Sequence, residues 1–77
     1  MAITAAQSRA GRALLNMTQE ELSLAAGVAT KTIATFESEG TAPREATLVK
    51  LQIALEGAGV IFIESAGGAG VMVRTAH

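Results

Sequence analysis

The chain has no cysteine, no tryptophan and no tyrosine, and only one proline and two phenylalanines. Without cysteine there is no disulfide, no thiolate zinc site and no thiol nucleophile, a composition that fits a reducing compartment. Two phenylalanines are too few for the aromatic platforms on which single-stranded bases stack. The only histidine, His77, is the last residue, and a lone terminal imidazole builds neither a metal site nor a catalytic dyad. No nucleophile–base pair, metal cluster or cofactor loop can be assembled, so neither an enzyme nor a bound cofactor is expected. The longest run of large apolar side chains, Val60 to Ile63, is far shorter than the ~20 residues of a membrane span. A charged-then-apolar secretion signal is also missing. Six basic residues face seven acidic ones, for a net charge of −1. A strong overall nucleic-acid footprint is therefore absent, and any such surface must be local. The expectation is a small soluble cytoplasmic domain with no membrane partner.

What is present is a compact helical pattern. Apolar residues make up 49% of the 77, but sixteen of them are alanine, so the large side chains suffice for one core and not for a deep cavity beside it. Residues 4–58 read as helical and residues 60–74 as a β-hairpin. Thr4 and Gln7 form a capping box, followed by Ala6, Ala10, Ala13, Leu14 and Met17 on one helical face. Thr18 and Glu21 form a second box, with Met17 and Leu22 as its hydrophobic staple. Leu22, Ala25 and Ala26 are expected to face inward, and Gly27 to end that short helix. Ile33 and Phe36 are the core positions of a third helix, closed by Gly40. Pro43 starts a fourth, from about Arg44 to Glu56, with Leu48, Leu51 and Leu55 inside and Val49 and Ile53 on another side. Gly57 and Gly59 stop it. The hairpin is expected to run from Val60 to Glu64 and from Val71 to Arg74 around an Ala66–Gly70 loop. That glycine-rich loop has no following Lys-Ser/Thr or helix, so it is read as a turn and not as a phosphate cradle.

Two short helices joined by a tight glycine turn, from Thr18 to Glu37, make the core of a helix-turn-helix. Arg12, Met17 to Leu22, Ala26-Gly27-Val28, Thr32-Ile33, Phe36-Glu37, Pro43, Thr47-Leu48 and Leu51 match in spacing as well as type. Over residues ~7–56 the chain resembles the Cro/C1-type (XRE-like, lambda-repressor-like) helix-turn-helix transcriptional regulators. The resemblance implies a mainly α fold, a lambda-repressor-like bundle of four to five helices, here with a C-terminal β-hairpin. It implies binding of double-stranded DNA, with a recognition helix of about residues 30–38 in the major groove. Arg12 and Glu37 match a structural ion pair of the family, and Gln19 matches a contact to the DNA backbone. Thr30, Lys31 and Thr35 match the base-facing positions. Lysine can donate to guanine O6 and N7, and threonine can pack against a thymine methyl. Arg44, Ser38 and Arg9 are candidate phosphate contacts. One departure stands out: Ala29 occupies the usual Ser/Thr cap of the recognition helix, which leaves Thr30 as an alternative cap.

The hairpin carries a second expectation. Val60 and Phe62 alternate with Ile61 and Ile63, and Val71, Met72 and Val73 continue the pattern, so both faces are apolar. An isolated two-stranded hairpin is barely stable in water, and its second face or its edge needs a cover. Together with Val49 and Ile53 these residues suggest a homodimer in which hairpins pair or pack across a twofold axis. The overall expectation is a bacterial or phage-type dimeric repressor reading an inverted repeat. The alternative is a protein-interaction module, such as an antitoxin that neutralises a partner protein.

Overall fold

The computed structural model describes residues 2–74, so His77 lies outside the described residues. Four helices come first: α1 (Ala5–Leu15), α2 (Gln19–Ala26), α3 (Thr30–Glu37) and α4 (Glu45–Gly57). Two antiparallel strands follow, β1 (Val60–Ser65) and β2 (Gly68–Val73). The fold is mainly helical and lambda-repressor-like, with the hairpin added at its end. Among the described residues, no helix is long and apolar enough to cross a membrane.

Both capping boxes form. The Thr4 hydroxyl accepts from the Gln7 amide at 3.0 Å, and Gln7 Oε1 accepts from the Thr4 amide at 3.0 Å. Thr18 and Glu21 repeat the arrangement at 3.0 and 2.8 Å. Each box satisfies amides that a helix start leaves without partners. Gly27 ends α2 at φ +69°, a left-handed conformation that glycine adopts without steric cost. Its amide donates to the Ser23 carbonyl, and the Ser23 hydroxyl donates to the Val28 carbonyl at 2.6 Å. These bonds make the turn between α2 and α3 short and fixed.

The core is built by Ile3, Leu22, Val28, Ile33, Phe36, Leu51, Leu55 and Val60, with Leu48, Phe62, Val71 and Val73 packed against it. The hairpin therefore completes the core that the helices leave open. Val60 pairs with Val73 and Phe62 with Val71, which puts all four on the inner face. Gln7 fastens the sheet to α1. Its Nε2 donates to the carbonyls of Gly70 at 3.1 Å and Ile63 at 3.4 Å, two residues that face each other in the ladder.

Several sequence expectations are corrected. The alanine stripe of α1 is exposed, Leu14 included, and the buried face is Gln7, Ser8 and Gly11. The helix is turned by its polar partners: Gln7 bonds to the hairpin, and Ser8 bonds to α3. Ala25 is exposed, leaving Leu22 as the buried anchor of α2. The left-handed residue after α3 is Glu39 at φ +63°, not Gly40. Gly40 serves a close approach instead, since a Cβ there would lie 3.1 Å from Thr35 Cγ2. The hairpin turn is only Ala66-Gly67, because Gly68, Ala69 and Gly70 pair with Ser65, Glu64 and Ile63. Main-chain pairing needs no side chain, so small residues extend the strand. Val60 is buried within the chain, which removes it from the surface expected for a dimer. Phe62, Val71 and Val73 also pack inward.

Gly11 sits in the middle of α1 with room for a methyl group. An added Cβ would meet the two Val60 methyls at 3.5 Å and Leu55 Cδ2 at 3.8 Å, ordinary van der Waals distances. Glycine inside a helix costs about 0.8–1.0 kcal/mol relative to alanine. Gly11→Ala is therefore expected to raise stability by up to about 1 kcal/mol, a Tm gain of roughly 4–8 °C for a domain of this size. Thermal and urea unfolding of the two proteins checks this.

Candidate nucleic-acid interface

The C-terminal end of α3 is held by one buried carboxylate. Glu37 is only 3% exposed, and helices α1 and α2 both reach it. Arg12 Nε donates to both of its oxygens at 2.9 and 3.1 Å, and Arg12 Nη2 donates to Oε1 at 2.5 Å. The Ser8 hydroxyl donates to Oε2 at 2.5 Å, and Gln19 Nε2 donates to Oε1 at 3.1 Å. Arg12 also donates through Nη1 to the Met17 carbonyl at 2.9 Å, tying down the α1–α2 connection. Arg9 adds a bond from Nη1 to the Glu37 carbonyl and an exposed ion pair with Glu39 at 3.4 Å.

The electrostatics follow from this packing. Burial pushes the Glu37 carboxyl up, but the hydrogen bonds from Arg12, Ser8 and Gln19 and the Arg12 charge outweigh it, so its pKa lies below the ordinary value. The hydrogen bond to Glu37 likewise raises Arg12. Both shifts favour the charged forms.

The outward face of α3 is differently furnished. Ala29 occupies the N-cap position and makes no side-chain cap bond. Thr30 is already the first helical residue, so it does not replace the missing cap. Lys31 is exposed, and Thr30 and Thr35 are half-buried. Arg44, at the N-cap of α4, is exposed. Among the described residues, the side chains of Thr30, Lys31, Thr35 and Arg44 make no hydrogen bond or ion pair within the chain. The other three candidates have internal bonds: Gln19 and Arg9 as above, and Ser38 through its hydroxyl to the Thr35 carbonyl at 3.0 Å.

Beside this face lies an open groove of about 410 Å³, lined by Ala29, Lys31, Thr32 and Thr35 and by the Thr41-Ala42-Pro43 segment. Sequence reasoning assigned no site role to Ala29, Thr32 or the 41–43 segment. It also missed Ser8, although Ser8 precedes Arg12 by one helical turn and shares its face. No group of three or more His, Cys, Asp or Glu side chains is placed to hold a metal ion among the described residues.

Because the folded-state pKa of Glu37 is depressed, its contribution to stability is fully present above the ordinary value of 4.5. It is lost as pH falls below 4.5 and through the folded-state value. Urea midpoints measured from pH 7 to pH 3 are expected to fall on the acid side of 4.5, with a smaller fall in Glu37→Gln. Arg12→Met leaves the carboxylate buried without its cation and is expected to cost about 3–5 kcal/mol at neutral pH.

The wider comparisons agree with this geometry. A family model described as Helix-turn-helix matches residues 9–57, more than half of the chain. The match runs from Arg9 in α1 to the last residue of α4 and leaves the hairpin outside. No curated protein matches the chain. The chain belongs to the XRE-type (Cro/C1-type) helix-turn-helix family of DNA-binding regulators.

Proposed function

We propose that the protein is a sequence-specific regulator that binds double-stranded DNA as a homodimer, acts as a repressor and works in the bacterial cytoplasm. Helix α3 enters the major groove and presents Thr30, Lys31 and Thr35 to base edges. Arg44 binds a phosphate, and Gln19, Ser38 and Arg9 flank the contact. The observation that carries the reading is the contrast on α3. Its inner end is locked by Glu37 to two other helices, while Thr30, Lys31 and Thr35 have no side-chain hydrogen bond or ion pair among the described residues. A rigid helix with uncommitted donors is what major-groove reading requires.

Dimerisation is supported by the hairpin, read as a dimerisation element beside the 4–58 helical domain. Arg74 N donates to the Gly59 carbonyl at 2.8 Å, which sets the alternation of the ladder. Ile61–Met72 and Ile63–Gly70 are then hydrogen-bonded pairs, and the main-chain groups of Ala69, Val71 and Val73 point outward from β2. No charged residue interrupts that edge, whereas β1 carries Glu64 on its own. Pairing β2 with its symmetry mate around Val71 joins two hairpins into a four-stranded sheet. Ile63 and Met72 on the outer sheet face, and Val49 and Ile53 on α4, are exposed and Ile61 half-buried. They supply apolar surface for the same assembly. A twofold dimer would read an inverted repeat whose half-sites lie about one helical turn, ~34 Å, apart.

The exposed apolar side chains also support a second reading, a module that binds a partner protein such as a toxin. Leu24 is 86% exposed and Ile53 63%.

Selection from a random duplex pool at near-physiological salt tests the proposal and is expected to enrich an inverted repeat. Lys31→Glu is expected to abolish duplex binding; a pure adaptor would instead keep its partner in that variant. With Lys31 and Arg44 as the main cations that each subunit brings to the duplex, log Kobs is expected to fall against log salt with a slope of about −4 for the dimer. Sedimentation at tens of micromolar is expected to give two chains. Ala69→Pro removes an outward amide without touching a ladder bond, so it is expected to weaken the dimer while circular dichroism stays unchanged.

A further inference from the structure

Glu39 runs against the local rules of the chain. It follows α3 at φ +63°, a left-handed conformation that costs a long side chain and that glycine, asparagine or aspartate enters more easily. Gly40 is the next residue, yet the carboxylate and not the glycine holds the left-handed position. The main chain closes α3 here by itself. Glu39 N donates to the Phe36 carbonyl at 3.0 Å, and Gly40 N donates to the Thr35 carbonyl at 2.9 Å. The Glu39 side chain takes no part in that closure. It reaches α1 instead, where Arg9 Nη2 donates to its Oε2 at 3.4 Å. The two side chains are 44% and 67% exposed, and an ion pair this open adds little stability. Neither the backbone nor the ion pair accounts for a glutamate at this place.

We propose that Glu39 is a specificity-determining residue that withholds Arg9 from the DNA backbone. The inference rests on the duplex-DNA reading above and adds how non-specific attraction is limited. Arg9 is anchored at the exit of α3, because its Nη1 donates to the Glu37 carbonyl. Its other terminal nitrogen, Nη2, is the one that Glu39 engages. A guanidinium grips phosphate through the paired donors of its planar fork, and here both terminal nitrogens are occupied. Lys31 and Arg44 have no ion-pair partner among the described residues. Each subunit thus brings two cations to the duplex and holds back a third. Phosphate attraction is the same for every sequence, whereas base contacts carry the sequence information. Holding Arg9 back therefore lowers binding to all duplexes alike and leaves the base contacts a larger share of the affinity.

The test is Glu39→Gln, which keeps the side-chain length and removes only the charge. Glu39 is exposed, so the variant is expected to retain the circular dichroism of the parent. Binding is measured across salt on the selected duplex and on a random one. The slope of log Kobs against log salt is expected to steepen by about 1 per bound subunit, the release expected for one added phosphate contact. For a bound dimer, raising salt from about 50 to about 200 mM then costs the variant about twelve-fold more affinity than the parent. At low salt its binding to random duplex is expected to tighten and its preference for the selected duplex to fall. In an Arg9→Gln background the same substitution is expected to leave the slope where it was. An unchanged slope and preference in Glu39→Gln overturn the proposal and leave DNA binding standing. Equal steepening with and without Arg9 assigns the effect to the Glu39 charge alone and overturns the withheld arginine. If parent and variant both bind no duplex, the DNA reading falls and the proposal falls with it.

Discussion

The structure depends on Glu37 being buried. A carboxylate taken out of water without partners is costly enough to reshape its surroundings. Here it is satisfied by Arg12 and Ser8 from α1 and by Gln19 from α2. Such a cluster adds little net stability over a well-packed apolar substitute, because the desolvation of the two charges offsets their attraction. Its effect is directional. Three helices must meet at fixed angles for the donors to converge on two oxygen atoms, and any drift of α3 breaks several charge-assisted bonds at once. The cluster therefore fixes the pose of α3 more than it lowers the energy of the fold.

A second constraint comes from the alanine content. With sixteen alanines among its apolar residues, the helical part presents few large side chains to its core. The hairpin supplies Val60, Phe62, Val71 and Val73 to the same cluster. Helix α1 then joins two tasks. Gln7 grips the ladder at Gly70 and Ile63, and one residue later Ser8 grips Glu37. The hairpin is thereby linked through one helix to the residue that sets the angle of α3. In the proposed dimer, the spacing of the two copies of α3 would follow from that short path.

The legible parts of the sequence were those encoded by neighbours in the chain. Thr4 with Gln7 and Thr18 with Glu21 are three residues apart, and both boxes form as expected. Gly27 carries its own conformational signal. The face of α1 was misread because hydrophobic periodicity counts apolar residues, whereas this helix buries Gln7, Ser8 and Gly11. Their partners lie far along the chain, at Glu37 and Gly70, and no local pattern announces them. The same limit hid the groove, since Ala29 and Ala42 have no chemical signature until folding sets them side by side. The start of β2 was lost for a different reason. Glycine and alanine suggest a loop by composition, but a ladder is made by the main chain and accepts them.

A net charge of −1 looks unfavourable for a duplex-binding protein, yet the distribution matters more than the sum. Glu37 is neutralised by Arg12, and Glu39 pairs with Arg9. The two carboxylates closest in sequence to the end of α3 are thus answered from α1. Lys31 and Arg44 have no ion-pair partner among the described residues, so the charge of Lys31 on the exposed side of α3 is not offset by an ion pair while the whole chain is slightly acidic. Two such cations give a weak, shallow electrostatic attraction to a duplex. In the proposed function, discrimination between sequences therefore rests on contacts that do not scale with charge, namely those of the threonine side chains with base edges. A surface with so few cations gains little from non-specific DNA, which is why the proposed regulator is read as a pair of chains.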